Sequence, residues 1–402
     1  MADSNNSLTA FNPEIWRSVM QETFFKESTA LGVVSADLRN ELAIGDTLHQ
    51  PYGSYARVQT YTKGADISVK DIDSTDDYIT VTTAKVASFY VDAIDKKQSK
   101  YPIIEEFASG AQRQLNNVLD QAVLGQYSNA GTTLDAAAVG GIAGNGIVLS
   151  QSNVAGLFTA QGRVLNNNKR LGTDRFTMIG PRILEVIQNY VGGRETGFGE
   201  KMSDNGLIAR RFGFDLILSN NLPWSATLTL SVKPTDGDTV TINGVTFTFK
   251  DALTGATTLG EVLIGDSASE ANTNLAKAVN DSGTVDTHYS KLSSENRQLI
   301  EESGLTATAG ASSTAFTGYG DIVVSEVFSS DSNVWGSQLQ YALSGIRGSV
   351  ALITQITPNV EFRDAQLRLG KYVHPWMLYG VGTFERNKKS LVATKFDVSD
   401  WV

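Results

Sequence analysis

Three histidines are the whole stock of imidazole in this chain, and they stand far apart, at His49, His288 and His374. A metal site or a catalytic base needs its groups to converge on one small volume, and three residues in three separate stretches predict no such convergence. There is no cysteine, which removes thiolate nucleophiles, disulfides and cysteine-ligated zinc together. The acidic run Asp71, Asp73, Asp76, Asp77 resembles a calcium loop in composition. An EF-hand loop beginning at Asp71 requires glycine at its sixth position and glutamate at its twelfth, and those positions hold Asp76 and Thr82. A solvated hairpin tip accounts for the run better. Gly140, Gly141, Gly144 and Gly146 lack the Lys-Ser/Thr ending of a phosphate loop and the strand-turn-helix setting of a dinucleotide site. Glu105-Glu106 and Glu301-Glu302 are sequence neighbours, so on a helix they splay apart rather than grip one substrate. Arg194, Lys201, Arg210 and Arg211 alternate with Glu195, Glu200 and Asp204, which predicts scattered phosphate contacts at most. No catalytic residue, metal ligand or cofactor is predicted, and the chain is not expected to be an enzyme.

The elements around these residues carry more information. Residues 1–12 read as a polar arm, and 13–25 as a helix opened by Pro13, with Ile15, Trp16, Val19 and Met20 on one face. From 44 to 64 the Gly-Asp, Pro-Tyr-Gly and Lys-Gly pairs break up short extended pieces, and the acidic stretch 65–77 suits an exposed tip. Residues 78–91 read as one long strand with a wet face. Pro102 opens a long amphipathic helix over 102–125, whose apolar positions keep helical spacing from Ile103 to Val123. Residues 129–148 and 191–206 are glycine-rich loops. Between them a helix at 154–166, a strand at 175–179 and a helix at 181–190 predict an α/β layer, followed by a strand at 212–218.

Near Trp224 the pattern becomes all-β, with a hairpin over residues 239–249 turning at Asn243-Gly244. A short helix is predicted over 269–280 and strand over 305–327, and near Trp335 the mixed α/β pattern resumes. Strands over 347–361 and 377–396 end the chain. The segment 226–336 carries five basic against fourteen acidic residues, so −9 of the total −10 lies there, and the remainder is balanced at 28 against 29. Such a surface repels DNA and other copies of itself, which predicts that this segment faces solvent.

With 402 residues, 41% hydrophobic and 19% charged, the chain suits two or three folded domains. The opening residues do not read as a secretory leader, and no apolar run reaches the ~18 residues of a membrane helix. A soluble protein made in the cytoplasm is expected, with no membrane partner.

Four phrases in fixed order then carry a resemblance: FNPEIW at 11–16, IGDT at 44–47 with a proline soon after, YTKGADI at 61–67, and FYVDAIDKKQS at 89–99, leading into the long helix. In this succession, over roughly 11–225 and 338–400, the chain resembles the major capsid proteins of tailed double-stranded DNA bacteriophages. The resemblance implies an α+β fold. Its parts would be an N-terminal arm (1–51), an extended β-hairpin loop (52–85) reaching over a neighbouring subunit, and a peripheral domain (86–127 and 351–402) with a spine helix at 98–126. An axial domain (128–225 and 337–350) and an inserted, mostly-β domain (226–336) without counterpart in the minimal pattern complete it. It further implies homo-hexamers and homo-pentamers closing an icosahedral shell around DNA, in a virion assembled in the host cytoplasm. A separate scaffolding protein and a portal are implied partners, with non-specific contact to packaged DNA.

The subunit-contact candidates are then Trp16, Tyr61, Lys63, Lys70, Asp71, Asp73, Asp77, Arg194, Arg210 and Arg211. Lys63 and Lys70 lie on the expected loop, where a salt bridge or a free surface lysine is the expected role rather than a covalent cross-link. Deleting residues 56–84 is expected to leave a foldable core that builds no closed shell. Two other readings stay open: an encapsulin-like compartment holding cargo enzyme, and an adhesin or carbohydrate-binding module carried by the insert.

Overall fold

The computed structural model describes residues 26, 28–35, 42, 45–56, 58–67, 69, 71–99, 103–172, 174–192, 210–255, 258–366 and 368–399. The predicted helix over 13–25 and the loop over 191–206 lie outside them, save for 191 and 192. Among the described residues no helix is long and apolar enough to cross a membrane.

A helix of 22 residues, Ile103–Leu124, is the longest helix among the described residues, about 33 Å at 1.5 Å per residue. Its apolar positions at intervals of three and four put Ile104, Ala108, Leu115, Leu119 and Val123 inside. It packs against two long antiparallel strands, Ala351–Asp364 and Gly370–Gly382. These two form a four-stranded sheet with Thr83–Val86 and Phe89–Asp92, both of which pair with Gly370–Gly382.

The expected single strand over 78–91 is therefore three: Tyr78–Thr80, Thr83–Val86 and Phe89–Asp92. The first pairs instead with Thr47–His49. The other two are separated where Pro375 lies in the opposing strand, which has no N–H to offer the ladder; Ala87 N donates to the Pro375 carbonyl at 2.9 Å and the register resumes at Phe89. The strand expected over 377–396 is also interrupted. It stops at Gly382, gives way to a helical turn at Glu385–Lys388, and restarts as Leu391–Asp397 in a different sheet.

That second sheet has ten strands. Its main path runs 306–309, 313–319, 223–230, 339–346, 175–179, 214–218, 210–211; Asn333–Trp335 pairs with 223–230, Leu391–Asp397 branches from 339–346, and Thr132–Leu134 pairs with Leu391–Asp397. Helices Val154–Asn167 and Pro181–Gly192 belong to the same layer as predicted from alternation. The glycine-rich stretch near 140 is a folded loop: Asp135 accepts from the backbone N–H groups of Ala137 at 3.1 Å and Gly144 at 2.6 Å.

The segment 226–336 contributes to two sheets. Pro223–Leu230 and Ser313–Tyr319 lie in the ten-stranded sheet, so pairing crosses residue 226 without a break. Four other strands of the segment build a sheet of their own, in the order 261–263, 245–250, 239–242, 324–327. Its hairpin turns at Asn243 (φ 50°) and Gly244 (φ 85°), the two positive φ values that a type I′ turn demands and that this dipeptide tolerates. One core cluster runs from Ala30, Leu119 and Val123 through Trp224 and Phe316 to Phe247 and Phe249.

The segment 28–35 is fastened to the long helix by a buried acid. Asp120 is 0% exposed; its carboxylate accepts from Ala30 N at 2.6 Å, Ser28 Oγ at 3.1 Å and Asn221 Nδ2 at 2.9 Å. Asn221 Nδ2 also donates to Asn117 Oδ1 at 2.6 Å. Burial of a carboxylate is tolerable only with such partners.

One close approach decides the geometry beneath the long strands. A Cβ at Gly380 would collide with the carbonyl oxygen of Thr80 and come within 3.0 Å of Val81 Cα. Both obstacles are backbone, so no rotamer change relieves them. Gly380→Val is expected to abolish soluble folded protein, read as loss of a cooperative melt by circular dichroism.

Candidate subunit interface

Two short ladders lift an extended ribbon off the body. Thr47–His49 pairs antiparallel with Tyr78–Thr80, and Tyr52–Gly53 with Ser74–Thr75. The pairing continues to Ser54, whose N donates to Asp73 O at 2.8 Å and whose Oγ accepts from Asp73 N at 2.9 Å. Beyond that point the described residues are almost all exposed, including large apolar ones: Tyr55 at 83%, Val58 at 101%, Val69 at 88%, with Tyr61, Ile67 and Ile72. A two-stranded ribbon is marginal alone, and a run of apolar side chains in water marks a surface made to be covered.

At its base the ribbon belongs to the core. Ile79 and Val81 are buried with Leu42, Ala351, Ile353 and Phe384. The expectation that 56–84 is dispensable for folding is corrected by this packing: the deletion would remove those two side chains and part of the Thr83–Val86 strand. The described residues of 56–71 are all exposed, and loss of that shorter stretch is expected to leave the body whole.

The base is clamped by Arg386, on the helical turn Glu385–Lys388. Its guanidinium lies 4.6 Å from the Tyr52 ring centroid and 5.3 Å from that of Tyr55. Nη1 donates to Tyr55 Oη at 3.4 Å and Nη2 to the Gly53 carbonyl. The same turn is fixed by Asp77, whose Oδ2 accepts from Glu385 N at 2.6 Å. Planar stacking with directed N–H groups is a task for arginine that lysine performs poorly. Arg386→Ala is expected to raise amide exchange across 52–55 and 73–77 about tenfold with little change in Tm, and Arg386→Lys to restore less than half of that protection.

The residues expected to make contacts are dispersed. Tyr61, Lys63, Asp71 and Asp73 lie on the exposed ribbon, and Tyr61 Oη accepts from Gly64 N at 3.4 Å. Asp77 is engaged at the base. Arg210 forms a 3.7 Å ion pair with Asp215 far along the chain, where Arg347 also reaches Asp215 at 3.4 Å. Arg211 falls in the strand Arg210–Arg211. Trp16, Lys70 and Arg194 lie outside the described residues. Arg386, Tyr52 and Tyr55 escaped sequence reasoning. The tyrosines stand three apart beside Pro51 and could have been noticed; Arg386 is more than three hundred residues away, and nothing in the sequence pointed to it.

The histidines stay apart. His49 Nδ1 is 2.7 Å from Asp76 Oδ2, His374 Nδ1 is 2.8 Å from Ser88 Oγ, and His288 bonds to the backbone of Thr284. Among the described residues no group of three His, Cys, Asp or Glu side chains is placed to hold a metal ion.

The mixture of helices and sheets is an α+β fold of the phage-capsid type. The chain is similar over almost its whole length to solved phage structures. One from Mycobacterium phage Che8 matches with TM-score 0.59 and 12% identity, covering 96% of this chain and 98% of that one. The capsid structure of cyanophage P-SCSP1u matches with TM-score 0.55 and 13% identity, covering 98% and 96%. The capsid of Myoviridae phage XM1 matches with TM-score 0.51 and 11% identity, covering 98% and 100%. No family model matches the sequence, and no curated protein does. The chain has the fold of tailed-phage capsid proteins.

Proposed function

We propose that this chain is a phage major capsid protein, the repeating unit of an icosahedral head. Copies join head-to-tail into hexamers and pentamers, a heterologous arrangement that closes into rings by rotation, and the shell encloses double-stranded DNA. The observation that carries this reading is the ribbon of apolar side chains standing off a body that already has a complete core, in a chain whose fold matches capsid subunits end to end. In this reading residues 52–85 are the extended loop, 86–127 and 351–402 the peripheral domain with its spine helix, and 128–225 and 337–350 the axial domain. Residues 1–51 form the N-terminal arm. The acidic segment 226–336 decorates the outer surface, since its charge of −9 would repel packaged DNA.

The role is structural, without catalysis. A scaffolding protein and a portal are its partners during assembly, and Tyr61, Lys63, Asp71, Asp73, Arg210 and Arg211 are contact residues between copies or with phosphates. Negative-stain electron microscopy of concentrated purified protein, with and without co-expressed scaffold, tests the proposal. Closed shells or capsomer rings are expected. A monodisperse monomer under both conditions, with the ribbon protected from proteolysis, would overturn it.

A further inference from the structure

The Arg386 clamp also forms one wall of a cleft of about 1000 Å³. Its walls are the ribbon base (Gln50–Tyr55), the chain just after the helix Val154–Asn167, and the helical turn at Glu385–Lys388. The second and third walls are bonded to each other. Asn168 Nδ2 donates to Lys389 O at 2.9 Å, and Arg170 Nη2 to Arg386 O at 3.4 Å. Four cations line this space, Lys169, Arg170, Arg386 and Lys389, against two carboxylates, Asp77 and Glu385.

The carboxylates are already occupied. Asp77 accepts from Glu385 N, and Glu385 pairs with Lys388 at 2.6 Å. Arg386 is engaged by the tyrosines. Lys169 and Lys389, both exposed, have no ion pair among the described residues. Lys169 is held at φ 61°, a left-handed conformation that a lysine seldom adopts, so the turn presenting it is set by its surroundings.

We propose that this cleft is a docking site for carboxylates of a second copy of the chain. Charge complementarity supports the assignment. The protein as a whole carries −10, so approaching copies repel except where a local excess of positive charge meets an acidic surface. A cleft of this volume admits several residues of an extended segment. The exposed acids of the ribbon, Asp66 and Asp71, flanked by exposed Ile67 and Ile72, have the chemistry it would accept. Docking there would bear on the ribbon base through Arg386, so that covering one copy's cleft also steadies its own ribbon.

This inference rests on the proposed self-association, and the test separates the two. Equal amounts of ¹⁴N- and ¹⁵N-labelled protein are mixed under associating conditions and treated with a zero-length carbodiimide, which joins an amine only to a carboxylate it already touches. Mixed-isotope peptides containing Lys169 or Lys389 bonded to an Asp or Glu are expected. In parallel, the double variant Lys169→Glu/Lys389→Glu should require about tenfold more protein to associate at low salt, with an unchanged melt, and should lose most of the wild-type salt dependence. Particles that form without such cross-links and are indifferent to the double variant would overturn the cleft assignment and leave the shell reading standing. Absence of any association by wild-type protein would overturn both. Cleft-dependent binding of a fluorescent oligonucleotide by unassembled protein, abolished in the double variant, would reassign the cleft to a phosphodiester backbone and also overturn the proposal.

Discussion

Replacing residues 56–71 by two glycines should give a protein that folds and melts like the full chain and builds no closed shell. Ser54 pairs with Asp73, so the graft joins strands that already lie side by side. Among its described residues the excised stretch contributes none of the buried core residues; Val58, Tyr61, Ile67 and Val69 are exposed in the single chain. Shortening the connection lowers the entropic cost of closing it by about 1 kcal/mol, which in a chain of this size moves the melting temperature by only about a degree or two. Assembly is another matter. If these apolar side chains supply the cover between neighbours, their removal takes away much of an interface that obligate assemblies build on the order of thousands of square ångströms. Size-exclusion chromatography and electron microscopy should show soluble subunits or small rings in place of particles, while circular dichroism shows an unaltered melt. Normal particles from this variant would sink the assignment of the ribbon as the inter-subunit element. The wider excision of 56–84 is uninformative, because loss of buried Ile79 and Val81 unfolds the body and mimics an assembly defect.

Asp120→Ala should be the most damaging single change to stability among polar residues, at about 2–4 kcal/mol. It leaves Ala30 N without the acceptor it uses and Asn221 Nδ2 with Asn117 Oδ1 alone, at a position that is fully buried. The segment 28–35 then has weaker anchorage on the long helix, and denaturant titration should report the loss directly. A drop below about 0.5 kcal/mol, the low end for a single hydrogen bond, would show that the network contributes nothing net.

Titration offers a second check. Burial pushes the Asp120 carboxyl above its ordinary value, against the pull of Asn221, Ala30 and Ser28, which favour the ionised form. A carboxyl raised by folding holds its proton more tightly in the folded chain than in the unfolded one. Its contribution to stability is therefore largest in acid and declines as pH rises from about 4 through the raised value. Asp120→Asn removes this slope, so the stability of wild type relative to the variant should fall as pH increases over that window. Lys26, which donates to Tyr319 O at 3.3 Å, is lowered by burial with Glu302 opposing, and the ammonium should hold its charge less firmly than a surface lysine.

Much of the body was legible in the order of residues alone. The long helix, the two helices and strand of the α/β layer, and the hairpin at Asn243-Gly244 all follow from local rules. Periodicity of 3.6 announces a helix over six turns, and a dipeptide that tolerates positive φ announces a tight turn wherever it sits. Strand continuity was less legible. Nothing between residues 78 and 91 shows that the chain changes partner there, or that the partner carries Pro375. Nor does the run 377–396 reveal that a helical turn intervenes between strands of different sheets. A strand is defined by what lies beside it: 83–92 pairs with 370–379 from the far end of the chain, and 391–397 with 339–346 in a different sheet.

The sequence by itself determined that chemistry of the catalytic kind was not to be expected. It also determined that an extended acidic ribbon precedes a long helix, and that the negative charge gathers in residues 226–336. These are matters of residue type and order, which no folding alters. Tertiary structure alone decided that Asp120 holds the segment 28–35, that the ribbon base puts Ile79 and Val81 in the core, and that Arg386 grips Tyr52 and Tyr55 beside a cleft bearing Lys169 and Lys389. Each of those facts joins groups from distant parts of the chain. Their proximity is created by the packing of two sheets and a helix, whose energy no short window of sequence contains.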